Sequence, residues 1–201
     1  MTTNIVLAGV GGQGILSIAN VIGIAALQKN LYLKQAEVHG MSQRGGDVQS
    51  NLRISDSPIG SDLIPYGKAD IIISLEPMEA LRYLPYLKKT GWIVTNTNPL
   101  VNIKNYPDIK EVLQELEKID NLVAFDMDKM AKEVGSPKSS NMILLGAASP
   151  FIDLPEDVLE NGITKLFENK GEKIIDINIK SFRTGRFETI NFLQSKQLNF
   201  K

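Results

Sequence analysis

A short buried-type strand that runs straight into a glycine-rich turn constrains this chain more than any other feature of its sequence. Residues 5–8 form an unbroken apolar run, which is typical of a strand buried on both faces of a parallel sheet. Residues 9–14 read GVGGQG, and apolar residues then recur at helical spacing over 13–29. Strand, turn and helix follow one another without a spacer, so the chain is predicted to open as a β-turn-α unit.

Predicted strands and helices alternate along the first two thirds of the chain. Apolar or alternating runs predict strands over residues 31–38, 48–54, 70–75, 92–95 and 122–125. A helix is predicted from Pro77, which suits a first helical turn, through Leu87, with Gly91 as its stop, and another over 109–119. This alternation predicts a mostly parallel open sheet flanked by helices, with a Rossmann-like opening.

The last third of the chain is predicted to be helical, over residues 127–134, 141–148, 155–168 and about 174–193. The sequence contains no internal repeat, low-complexity tract or long linker, and its hydrophobic fraction of 43% can fill one core. We therefore expect a single α/β domain over residues 1–201. Its helical C-terminal part should pack on the same core as the sheet.

Composition excludes several classes of function. The 22 Lys and Arg residues nearly balance the 23 Asp and Glu residues, so neither nucleic acid nor an anionic membrane is an expected partner. The chain has no cysteine, so it cannot form disulfides, thiolate metal sites or cysteine-ligated iron–sulfur clusters. It also has no signal-peptide pattern and no apolar run long enough to span a membrane, which predicts a cytoplasmic location.

The glycine-rich turn is the leading candidate for a binding site. It matches the G-x-G-x-x-G pattern between a strand and a helix, where free backbone N–H groups and the helix dipole attract an anion. We expect a phosphate-bearing ligand here, and the alternative is a tight turn whose glycines only let helix and strand approach. The candidate residues in this turn are Gly9, Gly11, Gly12, Gln13 and Gly14.

Polar or glycine residues follow four predicted strands, at residues 9–14, 37–44, 76 and 96–98. In an open parallel sheet these ends meet on one rim, so Glu37 and Glu76 join the candidate site. In the loop after the second strand, Ser42 and Gln43 could add neutral hydrogen bonds, and Arg44 could fork onto a carboxylate or phosphate. Alternatively, Arg44 only holds the loop by pairing with Glu37 or Asp47.

The remaining polar residues give no catalytic assignment. His39 is the only histidine and has no serine, cysteine or ligand cluster beside it, so a structural role is expected. Asp126 and Asp128 are expected to be the cap and a first-turn charge of a helix. The sequence contains no Walker lysine motif, serine elbow, zinc-helix pattern or Gly-Asp-Gly thiamine motif. No residue of this chain is therefore assigned to catalysis.

These residues carry a family resemblance that covers most of the chain. The chain resembles the gamma-type subunits of the 2-oxoacid:ferredoxin oxidoreductases, and is most similar to the small beta subunits of the indolepyruvate type. The most specific stretch is the long and unusual run over residues 36–46. The resemblance also rests on residues 10–14, 75–77, 79–82, Asn141, residues 145–147, Asn178, Phe182 and Gly185.

The resemblance implies an accessory subunit without catalytic residues of its own. The holoenzyme would convert a 2-oxoacid and coenzyme A to acyl-CoA and CO2 while reducing ferredoxin. Thiamine diphosphate, magnesium and the iron–sulfur clusters would lie on a larger partner chain, which would also meet ferredoxin. The resemblance places residues 11–14 and the 42–46 loop toward coenzyme A or the partner, and no cofactor is expected to bind tightly to this chain.

Two other functions remain open from sequence. The first is a free-standing Rossmann-like dehydrogenase that binds NAD(P) pyrophosphate at residues 9–14 and ribose at Glu37. The polar loop over residues 39–46 counts against it, because a Rossmann half needs a crossover helix there. The second is a structural interaction module whose glycine turn binds nothing.

Overall fold

The computed structural model describes residues 2–39, 45–101 and 103–196, and its centre is a six-stranded sheet. The strand order across the sheet is β2-β3-β1-β4-β5-β6. In chain order the strands are β1 (Thr2–Val10), β2 (Tyr32–His39), β3 (Asp47–Ser55), β4 (Ala69–Ser74), β5 (Leu87–Asn96) and β6 (Leu122–Phe125).

Five of the six strands point in the same direction, which confirms the mostly parallel sheet. Strands β1, β4, β5 and β6 are parallel neighbours. Strand β3 is antiparallel to both β1 and β2, so β2 again runs in the direction of β1. The chain between β2 and β3 is too short for a helical crossover, so these two strands can pair only as an antiparallel hairpin.

Seven helices cover the two faces of the sheet in the described part of the chain. They are α1 (Ile15–Gln28), α2 (Pro77–Arg82), α3 (Ile109–Glu117), α4 (Met127–Val134), α5 (Ser140–Ala148), α6 (Glu156–Phe167) and α7 (Glu172–Ser195). Side chains such as Ile5 and Leu7 share a buried cluster with α1 and α4 to α7. Their neighbours Val6 and Ala8 share a second cluster with α2 and α3. The prediction that the C-terminal helices pack on the sheet is therefore confirmed.

The helix predicted through Leu87 with Gly91 as its stop is wrong. Helix α2 ends at Arg82, and Leu87 and Gly91 both lie in β5. Pro85 lies between the two elements and lacks the N–H that a continuing helix requires. Gly91 allows a close approach within the sheet, because a Cβ atom there would lie 3.0 Å from the carbonyl oxygen of Ala69.

Helices α5 and α7 cross at two glycines with their backbones in contact. A Cβ atom added at Gly146 would lie 1.8 Å from the carbonyl oxygen of Phe182. A Cβ atom at Gly185 would lie 1.9 Å from the carbonyl oxygen of Ile143. No side chain fits at either position, so this crossing sets how the C-terminal helices pack on the sheet.

None of the helices in the described ranges combines the length and the apolar character that crossing a bilayer requires.

Candidate functional site

The glycine-rich turn is open to solvent at its centre and leads directly into α1. Gly12 is exposed with φ +103°, and a Cβ atom there would have no heavy atom of the described residues within 4 Å. Gly14, with φ +86°, is the N-cap of α1. Among the residues that the structure describes, no side chain caps this end of the helix, and the first turn of α1 contains no acidic residue. Its backbone N–H groups therefore form an environment that suits an anion.

Gly9 and Gln13 stabilise the conformation of this turn. The Gln13 Oε1 atom accepts a hydrogen bond of 2.7 Å from the Val10 N–H, and Nε2 donates one of 3.1 Å to the Leu75 carbonyl. A Cβ atom on the buried Gly9 would lie 2.9 Å from Gln13 Oε1. Gly9 therefore gives Gln13 the space to fold back and join the ends of β1 and β4.

We expect Gln13→Ala to destabilise the protein, because it removes both hydrogen bonds and leaves the Val10 N–H and the Leu75 carbonyl without them. The expected loss in free energy of unfolding is about 1–3 kcal/mol. It can be measured by chemical denaturation. Gln35→Ala is the matched control, since the exposed Gln35 makes a single side-chain hydrogen bond of 3.1 Å to Ser50 Oγ. Equal losses in the two variants would contradict the bracing role of Gln13.

The loop between β2 and β3 meets the glycine turn through main-chain hydrogen bonds. The Gly11 N–H donates to the Gly46 carbonyl at 2.8 Å, and the Gly45 N–H donates to the Gly11 carbonyl at 3.4 Å. The end of this loop therefore lies beside the turn. The predicted site residues Ser42, Gln43 and Arg44 lie outside the described residues, so their approach to the turn stays a prediction.

Glu37 lies at a distance from the turn. It is exposed on β2, where it pairs with Ser50 of β3, and Ser50 in turn pairs with Leu7 of β1. Strand β3 therefore separates Glu37 from β1, whereas in a dinucleotide-binding fold the strand that carries the acidic residue is the direct neighbour of β1. The strand order gives no support to the dehydrogenase alternative.

Glu76 reaches the predicted rim but is fully buried, and its carboxylate accepts hydrogen bonds from within the chain. It caps α2 by accepting a 2.9 Å bond from the Glu79 N–H. It also accepts a hydrogen bond from the Tyr106 hydroxyl. Burial, together with this bond to Glu76, raises the pKa of Tyr106. Tyr106 could not be predicted from sequence, because it lies in an irregular segment without a motif.

The second acid of this helix, Glu79, is 2% exposed and pairs with Arg82 at 2.8 Å. Burial raises the pKa of Glu79, and the Arg82 guanidinium offsets only part of that effect. The folded chain therefore holds the Glu79 proton more tightly than the unfolded chain does. The contribution of Glu79 to the free energy of unfolding therefore falls as the pH rises through this raised pKa.

We therefore expect the pH profile of stability to change in Glu79→Gln, whose amide can still accept the Arg82 hydrogen bond but cannot ionise. Relative to this variant, the wild type should lose free energy of unfolding as the pH rises above about 4, where Glu79 of the unfolded chain ionises first. Denaturation curves across that range measure the difference. Parallel profiles for the two proteins would contradict the raised pKa of Glu79.

Three of the four strand ends predicted to meet, those of β1, β4 and β5, converge on one rim, while most of the fourth segment, residues 37–44, lies outside the described residues. A cavity of about 180 Å³ lies there between the glycine turn and the start of α5. Its lining residues come from five segments of the chain and are Gln13, Leu75, Asn96, Asn98, Pro99, Leu100, Asp128 and Ser140.

Amide and carboxylate side chains at this rim form a hydrogen-bonded network. Asn96 Nδ2 donates to Asp128 Oδ2 at 3.1 Å, and Asn96 Oδ1 accepts from the Met127 N–H at 3.0 Å. Asp126 caps α4 by accepting a 2.9 Å bond from the Lys129 N–H. The predicted capping and first-turn roles of Asp126 and Asp128 are confirmed. Over residues 2–39, 45–101 and 103–196, no group of three or more His, Cys, Asp or Glu side chains could hold a metal ion.

Asn141 connects the C-terminal helices to the turn. Its Nδ2 atom donates to the Gly14 carbonyl at 3.3 Å, and a Cβ atom on Gly14 would lie 2.6 Å from that nitrogen. Gly14 therefore both caps α1 and leaves space for α5, so the turn is held from two sides.

Known proteins are similar to this chain over most of its length. A family model described as "Pyruvate ferredoxin/flavodoxin oxidoreductase" matches residues 4–188. The chain is 41% identical to "Indolepyruvate oxidoreductase subunit IorB" of Pyrococcus horikoshii, over 90% of this chain and 93% of that protein. It is 34% identical to the protein of that name from Archaeoglobus fulgidus, over 95% and 97% of the two chains.

Solved structures with the same fold include a separate gamma subunit and a longer chain. The keto/oxoacid ferredoxin oxidoreductase gamma subunit of Geobacter sulfurreducens has a TM-score of 0.68 and 20% identity, covering 94% of this chain and 99% of that one. The 2-oxoglutarate:ferredoxin oxidoreductase of Magnetococcus marinus, with 2-oxoglutarate, coenzyme A and succinyl-CoA bound, has a TM-score of 0.74 and 22% identity. That match covers 100% of this chain and 32% of the longer one.

Proposed function

Because the chain belongs to the pyruvate ferredoxin/flavodoxin oxidoreductase family, we propose that it is the small subunit of an indolepyruvate-type 2-oxoacid:ferredoxin oxidoreductase. We infer the substrate class from the sequence identity of this chain to relatives named for different substrates. Identity is 34–41% to four proteins named as indolepyruvate subunits. It is 26–28% to subunits named for 2-oxoglutarate, ketoisovalerate or pyruvate.

The assembled enzyme would convert an arylpyruvate and coenzyme A to an aryl-acetyl-CoA and CO2. The two electrons released from the oxoacid would pass to two ferredoxins. Thiamine diphosphate, magnesium and the iron–sulfur clusters would belong to a larger partner chain, which would also meet ferredoxin. The absence of cysteine from this chain supports that division, because iron–sulfur clusters are held mainly by cysteine thiolates. A cytoplasmic location stays a prediction.

The contribution of this chain would be to bind and orient coenzyme A beside the partner's active site. The uncapped start of α1 and the open space at Gly12 fit an anionic group such as a coenzyme A phosphate. We propose that Gly12 and Gly14 contact that group together with Ser42, Gln43 and Arg44, while Gly11, whose N–H already donates to the Gly46 carbonyl, holds the loop against the turn. Gly9, Gln13 and Glu76 would act indirectly, by holding the turn and the neighbouring strand end in place.

Steady-state assays of the assembled enzyme test the substrate class. We expect the kcat/KM for indolepyruvate to exceed the values for pyruvate, 2-oxoglutarate and ketoisovalerate, each measured with coenzyme A and ferredoxin. A higher value for any of these three would contradict the indolepyruvate assignment. Saturable binding of NAD(P) with turnover of an alcohol would instead favour a dehydrogenase.

A further inference from the structure

Strand β2 leaves a long edge of the sheet unpaired in the described part of the chain. It contains eight residues and pairs with β3 alone, whereas β6, the strand at the other edge, contains four. Its register with β3 has no shift, and its sequence has no proline. Proteins usually protect such edges by shortening, bulging or interrupting them or by placing charges on them, because a free row of N–H and C=O groups can pair with another strand. Of these devices β2 has the charges of the exposed Lys34 and Glu37 but no shortening, bulge or proline.

The exposed side chains of β2 place two large apolar groups on one face. Tyr32 is 50% exposed and Val38 is 56% exposed. Both lie on the face that also carries Lys34 and Ala36, since side chains alternate along a strand. The apolar groups therefore lie at the two ends of the strand, with a cation and a small residue between them.

This pattern is complementary to itself when two β2 strands run antiparallel and are centred on Gln35. Tyr32 of one copy then lies opposite Val38 of the other, and Lys34 lies opposite Ala36. On the other face Leu33 lies opposite Glu37, so no like charges are directly opposed. Each aromatic and β-branched pair is worth about 0.2–1 kcal/mol, and the symmetry makes two such pairs.

We propose that two copies of this chain pair through β2 and extend the two sheets into one. The contact is independent of the proposed function. The glycine turn lies at the end of β1, with β3 between β1 and β2, so pairing at the outer edge of β2 leaves each turn open.

Cross-linking tests the contact and its register, because the chain has no cysteine and an introduced one is unique. In Gln35→Cys the two thiols lie directly opposite each other, with Cα atoms about 4.5–5.5 Å apart, which suits a disulfide. In the control Glu37→Cys the two positions are offset by about 13 Å along the strands. Mild oxidation should link Gln35→Cys into dimers and leave Glu37→Cys monomeric. No dimer from Gln35→Cys, or equal yields from both variants, would overturn the proposal.

Sedimentation of the full chain without cysteine gives a second measurement. We expect a dimer whose dissociation constant rises at least about tenfold in Tyr32→Lys with Val38→Lys. Phe187→Lys, at a residue of α7 that is 61% exposed, is the matched control and should not change it. Thermal melting checks that each variant is folded. A monomeric wild type at all concentrations, or equal weakening by the control, would contradict pairing through β2.

Discussion

Replacing Gly146 with alanine is expected to cost at least about 3 kcal/mol of folding free energy, a large share of the stability of a typical domain. The added methyl carbon would lie 1.8 Å from the Phe182 carbonyl oxygen and 3.0 Å from the Arg186 nitrogen. Both are backbone atoms, so no side-chain rotation relieves the contact and the helices must move apart. Chemical denaturation of the purified chain measures the loss, and complete failure to fold agrees with it.

Gly60 provides the matched control for this substitution. A Cβ atom there would have no heavy atom within 4 Å, and its φ is not in the left-handed region. Gly60→Ala should therefore leave the stability within about 0.5 kcal/mol of the wild type or raise it slightly. A Gly146→Ala variant as stable as Gly60→Ala would mean that α5 and α7 do not cross as described.

Gly12→Asp is expected to raise the KM of the assembled enzyme for coenzyme A by at least about tenfold, which corresponds to about 1.4 kcal/mol. The new carboxylate would face the position that we propose for a phosphate, where it repels the anion and fills the open space. Because Gly12 is exposed, the substitution should spare the core. The KM for the oxoacid should not change, since that substrate would bind to the partner chain.

The control for this variant is Gly135→Asp. Gly135 has a φ of +96°, close to the +103° of Gly12, and also has open space around its Cβ position. It ends α4, so its substitution carries similar backbone strain at a different place in the fold. Unchanged coenzyme A kinetics in Gly12→Asp, or an equal change in both variants, would contradict a coenzyme A contact at the glycine turn.

Hydrophobic periodicity predicted most of the sheet and the C-terminal helices, because long apolar runs and helical spacing are local signals. The direction of β3 was not predicted, since it depends on the short connection from β2 rather than on the composition of β3. The error at Gly91 has a related cause. Glycine ends helices but also allows close backbone approach within a sheet, and only the position of Ala69 across the strands distinguishes these roles. The single-domain division over residues 1–201 stays a prediction.

For the candidate site, the sequence predicted which strand ends meet at the rim but not the contacts of individual side chains there. Strand order brings residues 9–14, 76 and 96–98 to one edge because parallel strands share their carboxyl ends. The motif could not show that the Gln13 amide is already bound to Val10 and Leu75, because those partners come from the ends of two strands. The pairing of Glu76 with Tyr106 was equally hidden, since a contact 30 residues apart has no local pattern.

Purification of the tagged chain from its native host tests whether the chain is a subunit of a larger enzyme. We expect a larger polypeptide to copurify in equal amounts and to carry the thiamine diphosphate and iron. Only the complex should reduce ferredoxin with indolepyruvate and coenzyme A. Recovery of the chain by itself, or ferredoxin reduction by the separated chain, would contradict the subunit role.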